Sequence, residues 1–512
     1  MLKFKRSVLR PRTGGRALLS GLLTTVAITQ FSPVLVWCCF VPLFTLLSTG
    51  SVKTAVKAGV YFGAALSLGL FFWMIPGASR FTGHPTLYGW LGLVVAGTFF
   101  CLFFGLISGV FSCLKWRGKN HLVCIDTLLI SSFFCLGEAF LEKITTGGPW
   151  LRFHAGFPLA ASRYGIQPAA WLGVYGLSFV VVAVNYLFSL AIRRKAWHGL
   201  ILPAGVIVLY LASGYLLKLH FEQTRPAGKR ITVAILTENT PPETKWNDQT
   251  GNQLAQGLLR LSRQAAAAKP DIALWSESAI PWTYRKDDDL VAAVLKNTAP
   301  AGLTHILGMN TVTGKENVVY NSAYVITSDG RVSGRYDKQV LLSLIEEPVG
   351  GLLLPFMSSG GYSAMPGPGK DPVLTPVGKA GILICNESMQ QELARSAVQK
   401  GAVFLCNLSN DGWFSDSYLP GAHFYNARLR AVETRKDMVV NSNLGYSGLI
   451  RASGDINFMQ KTDHPTVALA SIEENRSQPL AVRYPWLSLY FCLGLVLALL
   501  ILRSLSIGQP TK

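Results

Sequence analysis

The segment ILICNES, residues 382–388, sets Cys385 where an apolar run, residues 380–384, meets a run able to form a helix, residues 389–399. A strand that turns sharply into a helix lifts one side chain above the sheet and aims backbone N–H groups at whatever binds there, which suits a nucleophile. A single cysteine is more commonly a small buried hydrophobe, so its chemistry depends on partners elsewhere in the chain. Two stand upstream, each at the end of its own apolar run. DIALWSES delivers Glu277, and GRYDK delivers Lys338. A carboxylate can take the thiol proton, and an ammonium can lower the thiol pKa and stabilise the oxyanion of a tetrahedral intermediate.

The order Glu277, Lys338, Cys385, with these flanking residues, resembles the nitrilase superfamily of carbon–nitrogen hydrolases over roughly residues 230–475. The resemblance implies a Glu–Lys–Cys triad in an αββα fold. It also implies supporting roles for a second glutamate eight residues after the lysine, Glu346, for Glu387 two residues after the nucleophile, and for Asn321 of the VYNS segment.

The rest of the chain reads as membrane. Half of the residues are apolar, 15% are charged and the mean hydropathy is +0.33, too apolar for an ordinary soluble protein of 512 residues. Apolar runs lie at 17–31, 34–49, 58–75, 87–114, 121–141, 168–192, 199–217 and 486–502. About 20 residues of helix cross the hydrocarbon core, so eight spans are expected, with the first two short enough to form a re-entrant pair instead. The net charge of +19 does not mark a nucleic-acid binder, because residues 219–483 hold 26 Lys and Arg against 25 Asp and Glu. The excess lies in the membrane part. With the N-terminus inside, the cytoplasmic segments carry Lys3, Lys5, Arg6, Arg10, Arg12, Arg16, Lys53, Lys57, Lys115, Arg117, Lys119, Arg193, Arg194, Lys195, Arg503 and Lys512. The opposite loops carry only Arg80, Lys143, Arg152, Arg163 and Lys218. The positive-inside rule then orients the chain.

Three regions follow: a transmembrane helical domain over residues 1–218 with about seven spans, an α/β catalytic domain over 219–483 on the outer face of the membrane, and a last span with a cytoplasmic tail over 484–512. In a bacterium with an outer membrane that outer face is the periplasm, and the N-terminal segment reads as an uncleaved first helix rather than a signal peptide. Within the catalytic domain ITVAIL, DIALW, HILGMN, YNSAYVIT, AGILIC, AVFLCN, MVVNSN and TVALASI predict strands, and residues 252–268, 290–299, 389–399 and 422–433 predict helices. The fold class expected is therefore an α-helical transmembrane bundle plus an extracytoplasmic α/β domain of the αββα, nitrilase-like kind. Residues 350–370, rich in Gly, Pro and Ser, read as a surface loop or a lid. Only Cys385 and Cys406 belong to this domain, so no disulfide framework is expected. The eight histidines show no metal spacing, and His423, near a helix start, carries no clear role.

Membrane spans fused to such a domain, with GGPWLRFHAGFPLA (147–160), GVYGLSFVVVAVN (173–185), TKWN (244–247), WSESAIPW (275–282) and NDGWF (410–414), resemble the apolipoprotein N-acyltransferase family. That resemblance implies a ping-pong acyl transfer without cofactor or metal. Cys385 takes an acyl chain from a phospholipid as a thioester and passes it to the N-terminal amine of a diacylglyceryl-cysteine apolipoprotein. Glu277 acts as base and then acid, Lys338 stabilises the oxyanion, and Trp246 and Trp413 match aromatic positions near the substrate entrance. An apolar, lipid-facing entrance would protect the thioester from water.

The chain departs from the family in three places. QVLLSLIEEPVG (339–350) replaces the usual His and Pro-Phe-Gly-Glu after the lysine, so the second acidic role falls to Glu346 or Glu347. Asn386 replaces the usual aromatic after the nucleophile, and residues 347–363 hold no basic residue for a head group. A membrane-tethered amidase or a paralogue with another acceptor is the alternative that keeps the triad; a non-enzymatic scaffold or transporter would not need it.

Overall fold

The computed structural model describes residues 13–77, 86–115, 123–195, 197–241, 244, 246–247, 249–343, 345–347, 363–369 and 371–507. Most of the 350–370 loop, the basic residues of the first twelve positions, Arg80, Arg117, Lys119, Lys512 and the Arg503 side chain lie outside the described residues.

The membrane part is a helical bundle: α1 (Thr13–Thr29), α2 (Val41–Leu47), α3 (Val52–Phe71), α4 (Leu87–Leu114), α5 (Val123–Ile144), α6 (Ala169–Arg194) and α7 (Ile201–Thr224), joined after the catalytic domain by Leu487–Ile507. Among the described residues five helical stretches are long and apolar enough to cross a membrane: Val52–Phe71, Leu87–Leu114, Val123–Ile144, Ala169–Arg194 and Trp197–Thr224. The 34–49 run differs from the continuous span expected. It breaks into a 3₁₀ turn, Leu35–Trp37, and the seven-residue α2. Asn185 of α6 satisfies the break, accepting from the Phe40 N–H at 2.9 Å and donating to the Val36 carbonyl at 2.9 Å. Broken helix is tolerated at membrane depth only where other protein groups bond the freed backbone.

The two ends of the bundle differ in chemistry. At one end Lys115 donates to the carbonyls of Leu47 and Gly50, and Arg193 to that of Ser48. Basic side chains thus gather where α2, α4 and α6 end and α3 begins. At the other end the ring of Phe31 packs over Gly421, and the segment 145–163 docks on the catalytic domain.

That domain is two stacked sheets. The first has the order β13-β1-β2-β3-β4-β5, with the short β6 on β4; the second runs β12-β11-β10-β9-β8-β7. The strands are β1 (Arg230–Thr237), β2 (Ile272–Trp275), β3 (Thr304–Val312), β4 (Val318–Ile326), β5 (Val332–Asp337), β6 (Ser363–Ala364), β7 (Val373–Thr375), β8 (Gly378–Ile384), β9 (Phe404–Asn410), β10 (Met438–Asn443), β11 (Ser447–Ile450), β12 (Ile456–Gln460) and β13 (Thr466–Glu473). β1 pairs in parallel with β2, and β8, β9 and β10 run parallel to one another. Strands of both sheets contribute Val233, Ile235, Ile306, Ile382, Ile384 and Val439 to a core between the layers. Such side chains each contribute roughly 1.5–3 kcal/mol when fully buried. Asn441 ties the layers together, donating from β10 to the carbonyls of Leu236 and Leu274.

Helices cover the outer faces. α8 (Gly251–Ala268) buries Leu258, Leu261, Ser262 and Ala265, a helical stripe, against the first sheet beside α9 (Asp289–Thr298). α9 is capped by Asp288, whose carboxylate accepts from the Val291 N–H at 2.9 Å. α10 (Gln391–Gln399) and α11 (Leu419–Thr434) cover the second sheet. The layers are therefore α, β, β, α.

Candidate functional site

Each chemical side chain sits just past the end of a strand. Glu277 follows β2, Lys338 follows β5 and Cys385 follows β8. The Glu277 turn lies against β3 so closely that a Cβ on Gly308 would meet the Ser276 carbonyl at 2.3 Å, so only glycine fits there. Lys338 Nζ lies 3.1 Å from Glu277 Oε1 and 2.9 Å from Glu346 Oε1, with the ammonium buried. Asn321 donates from β4 to Glu277 Oε1 at 2.8 Å, and the Asn410 N–H at the end of β9 donates to Oε2 at 3.0 Å. Of the two glutamates, Glu346 turns to the lysine, whereas Glu347 accepts from Ser343 Oγ at 3.3 Å.

Cys385 is buried and holds a left-handed backbone, φ 55°. Residues other than glycine adopt that conformation at a cost of about 1–2 kcal/mol and need support from their surroundings. Glu387 supplies it. Its Oε2 accepts from the Ile384 N–H and the Tyr336 hydroxyl, both at 2.8 Å, and its Oε1 accepts from the N–H groups of Gln339 at 2.7 Å and Val340 at 3.1 Å. One carboxylate thus ties the nucleophile turn to the chain leaving Lys338. A 3₁₀ turn, Cys385–Met389, begins at the cysteine, and the expected helix begins only at Gln391. Asn386 donates to the Val340 carbonyl at 3.1 Å and lines the cleft.

Burial and neighbouring charges shift the protonation of Cys385, Lys338 and Glu387. Burial pushes the Cys385 thiol well above its usual range, and the Glu277 charge adds to this while Lys338 opposes it. Burial works against the Lys338 ammonium, but Glu277 and Glu346 outweigh it and hold the group charged well above its ordinary range. Burial raises the Glu387 carboxyl to about 7, against the pull of its backbone and tyrosine donors.

A narrow cleft of about 10 Å³ opens on Cys385, lined by Pro149, Trp150, Leu342, Cys385, Asn386, Met389, Phe414, Leu419 and His423. That is room for about one water molecule. Two of its walls, Pro149 and Trp150, come from the membrane part. Trp150 packs edge-on against Trp73, just past α3, and Trp73 against Phe414, at centroid distances of 6.3 and 6.1 Å. The membrane segment is pinned to the nucleophile turn: Arg152 donates to the Met389 carbonyl at 3.0 Å, Gln390 to the Thr146 carbonyl at 3.2 Å, and the Ser343 N–H to the Gly147 carbonyl at 2.8 Å.

The two tryptophans expected near the entrance, Trp246 and Trp413, are not among the residues that line the cleft. Trp246 packs edge-on against Trp282, 5.1 Å between centroids, on the helix side of the first sheet. The Trp413 carbonyl oxygen lies near Gly77, and its neighbour Phe414 lines the cleft. Sequence reasoning gave no role to Trp73, Met389 and Leu342; Trp150 and Phe414 stood within quoted motifs without a role. His423 had a position but no partner, and the structure pairs it with Asp411 at 2.7 Å.

The family model for carbon-nitrogen hydrolase matches residues 232–468, and the model for the apolipoprotein N-acyltransferase N-terminal domain matches residues 20–187. The chain is 28% identical over 492 residues to an apolipoprotein N-acyltransferase of Geobacter metallireducens, covering 91% of each chain. The chain belongs to the apolipoprotein N-acyltransferase family. A relative with the same description from Pseudomonas syringae pv. tomato is 28% identical over 472 residues, 88% of this chain and 89% of that one. A crystal structure of a carbon-nitrogen hydrolase from Helicobacter pylori G27 covers 51% of this chain and 94% of its own, at 18% identity and a TM-score of 0.37. In this family member the two matched regions are the two walls of one cleft: Trp150 lies in the first and Cys385 in the second.

Proposed function

We propose that this chain transfers an acyl chain from a membrane phospholipid, through a thioester on Cys385, to the N-terminal amine of a diacylglyceryl-cysteine apolipoprotein. The observation that carries this reading is the cleft over Cys385, which is apolar and walled jointly by the catalytic domain and the membrane bundle. At rest these apolar walls leave room for only about one water, so bulk water is kept from Cys385; the cleft must widen between the catalytic domain and the bundle to take an acyl chain, and its apolar lining favours transfer over hydrolysis.

In the first half-reaction Glu277 takes the Cys385 proton as sulfur attacks the ester carbonyl, and returns it to the departing glycerol oxygen of the lysophospholipid. Lys338, kept charged by Glu277 and Glu346, stabilises the oxyanion. The raised thiol pKa means that proton removal is coupled to attack, so no free thiolate stands in the cleft between turnovers. In the second half-reaction the acceptor amine takes the acyl group. The asymmetry of the bundle supports an orientation with Lys115 and Arg193 in the cytoplasm and the catalytic domain outside, in the periplasm of the bacterial inner membrane.

Intact mass of the full chain in phospholipid, alone and with a diacylglyceryl-cysteine peptide, tests this. The expected result is one acyl adduct, absent from Cys385→Ser, that moves to the peptide amine. An adduct lost only to water would instead favour a membrane-tethered hydrolase, and no adduct on a folded chain would exclude both.

A further inference from the structure

One atom beside the nucleophile is left without a partner. Asn386 follows Cys385 directly, is buried and lines the same cleft. Consecutive Cα atoms stand about 3.8 Å apart, so the two side chains share one small reacting space. The orientation of the Asn386 amide is fixed. Its Nδ2 donates to the Val340 carbonyl at 3.1 Å, and a carbonyl has no hydrogen to give, so the nitrogen faces Val340 and the oxygen faces away. The Val340 N–H in turn binds Glu387, which also accepts the Ile384 N–H, so the frame that holds Cys385 holds this amide as well. Among the described residues Oδ1 is buried and accepts no hydrogen bond. Buried polar atoms are nearly always paired, so an orphan beside a nucleophile points to a partner that arrives with a substrate.

The chemistry of the two substrates decides which one brings it. Oδ1 can only accept. Before attack, a phospholipid presents only acceptors around its ester carbonyl, and the oxyanion that follows is an acceptor again. A neutral primary amine carries two hydrogens beside its lone pair.

We propose that Asn386 Oδ1 accepts one N–H of the attacking amine and so selects a primary amine in the second half-reaction, an inference that rests on the acyl-transfer reading above. The amine nitrogen attacks the thioester carbonyl carbon, a C–N bond forms, and the carbonyl π pair moves to the oxygen that Lys338 stabilises. One N–H proton passes to Glu277. The oxyanion then collapses, the C–S bond breaks with its electron pair on sulfur, and Glu277 returns that proton to sulfur. The second N–H stays on nitrogen throughout, bonded to Asn386, and becomes the N–H of the amide product. Holding it turns the lone pair toward the carbonyl. Asn386 itself gains and loses no proton.

The full chain in phospholipid vesicles tests this with two acceptors, a diacylglyceryl-cysteine peptide and the same peptide N-methylated at its α-amine. Acyl-enzyme is loaded and measured by intact mass, and loss of the acyl mass to each acceptor is followed. An N-methyl amine has one N–H, which must go to Glu277, and none for Asn386. The parent should therefore transfer to the primary amine at least about tenfold faster. Asn386→Leu, close in shape but without an acceptor, should load within about threefold of the parent and transfer to the primary amine about 10–50-fold more slowly. Its preference for the primary amine should shrink below about threefold. Equal losses in loading and transfer would mean that Asn386 merely shapes the turn, and a preference kept in Asn386→Leu would place the second N–H elsewhere; either result overturns the assignment. If Asn386→Leu fails to fold, Asn386→Ala is read in the same way, and equal parental rates with the two acceptors overturn the assignment by themselves. A parent that never loads would instead sink the acyl-transfer reading, a failure visible before any amine is added.

Discussion

The Nζ of Lys338 lies 2.9 Å from Oε1 of Glu346, and the other oxygen of that carboxylate accepts the Leu342 N–H at 2.8 Å. Glu346 therefore does two things at once: it balances a buried ammonium and fixes the chain that carries Leu342 into the cleft wall. Removing one partner of a buried ion pair leaves the other uncompensated, at a cost of several kcal/mol. Glu346→Gln should slow acyl loading on the order of 10–100-fold, whereas Glu347→Gln should stay within about threefold. Loading rates by intact mass compare the two; equal losses would mean that the lysine does not discriminate between them.

Glu277 should have opposite effects on two reactions of one thiol. Its charge helps to raise the Cys385 pKa, so Glu277→Gln should speed alkylation of Cys385 by iodoacetamide at pH 8. The same change removes the base for attack on lipid and should slow loading by about 100-fold or more. Peptide mass mapping reads the first and intact mass the second. A parallel fall in both would show that the substitution merely disorders the turn.

The cleft walls predict where aromatic truncation matters. Phe414→Ala opens the wall beside Cys385 and should raise the share of acyl-enzyme lost to water several-fold, measured as free fatty acid against acylated peptide. Trp246→Ala, on the far side of the first sheet, should leave that ratio unchanged. If Trp246→Ala shifts the ratio and Phe414→Ala does not, the entrance lies elsewhere.

Glu238 gives a pH dependence of stability with a definite sign. Burial raises its carboxyl to about 7, only partly offset by the Ser276 hydroxyl at 2.6 Å. An unfolded glutamate titrates near 4.3, so between about pH 4.5 and 7 the folded chain holds a proton that the unfolded chain has lost. Stability then falls as pH rises through that window, by roughly 3 kcal/mol for this group, and stays level above it. Glu238→Gln should flatten the decline in Tm between pH 5 and 7.5. An unaltered slope would assign the decline to other groups.

Gly173 tests the join between the parts of the chain. Its φ of 63° and ψ of −172° break α6, in a region open almost only to glycine, and a Cβ there would lie 2.3 Å from the Arg395 guanidinium. Gly173→Ala should cost about 1–3 kcal/mol, read as a lowered Tm in detergent. Retention of the parental Tm would mean that the kink relaxes freely.

What the sequence made legible follows the physics of each signal. Strands β1, β2, β3, β4, β8, β9, β10 and β13 announce themselves as short apolar runs, so the residues just beyond β2 and β8 can be singled out, whereas Lys338, placed at the end of an apolar run, in fact follows β5. β5 itself, VSGRYD, is too polar to stand out, because its first residues lie at the sheet edge and are only partly buried. Residues 339–350 have no periodicity, so the choice between Glu346 and Glu347 waits on three dimensions. The broken second span was hidden because Asn185, which satisfies it, lies 145 residues from Phe40. The cleft was hidden for the same reason: Trp150 and Cys385 become neighbours only through the fold.

The docking of Trp150 and Arg152 onto the nucleophile turn has a consequence for the life of the chain before it is fully assembled. Until segment 145–163 has emerged on the correct side and closed over Met389, Cys385 lacks one wall. A catalytic domain that folds first therefore cannot hold a protected thioester, and a chain inserted upside-down in its first half never will. Under the proposed thioester chemistry, a copy whose 145–163 segment has not docked would leave Cys385 open to water and would lose acyl groups to hydrolysis instead of passing them on.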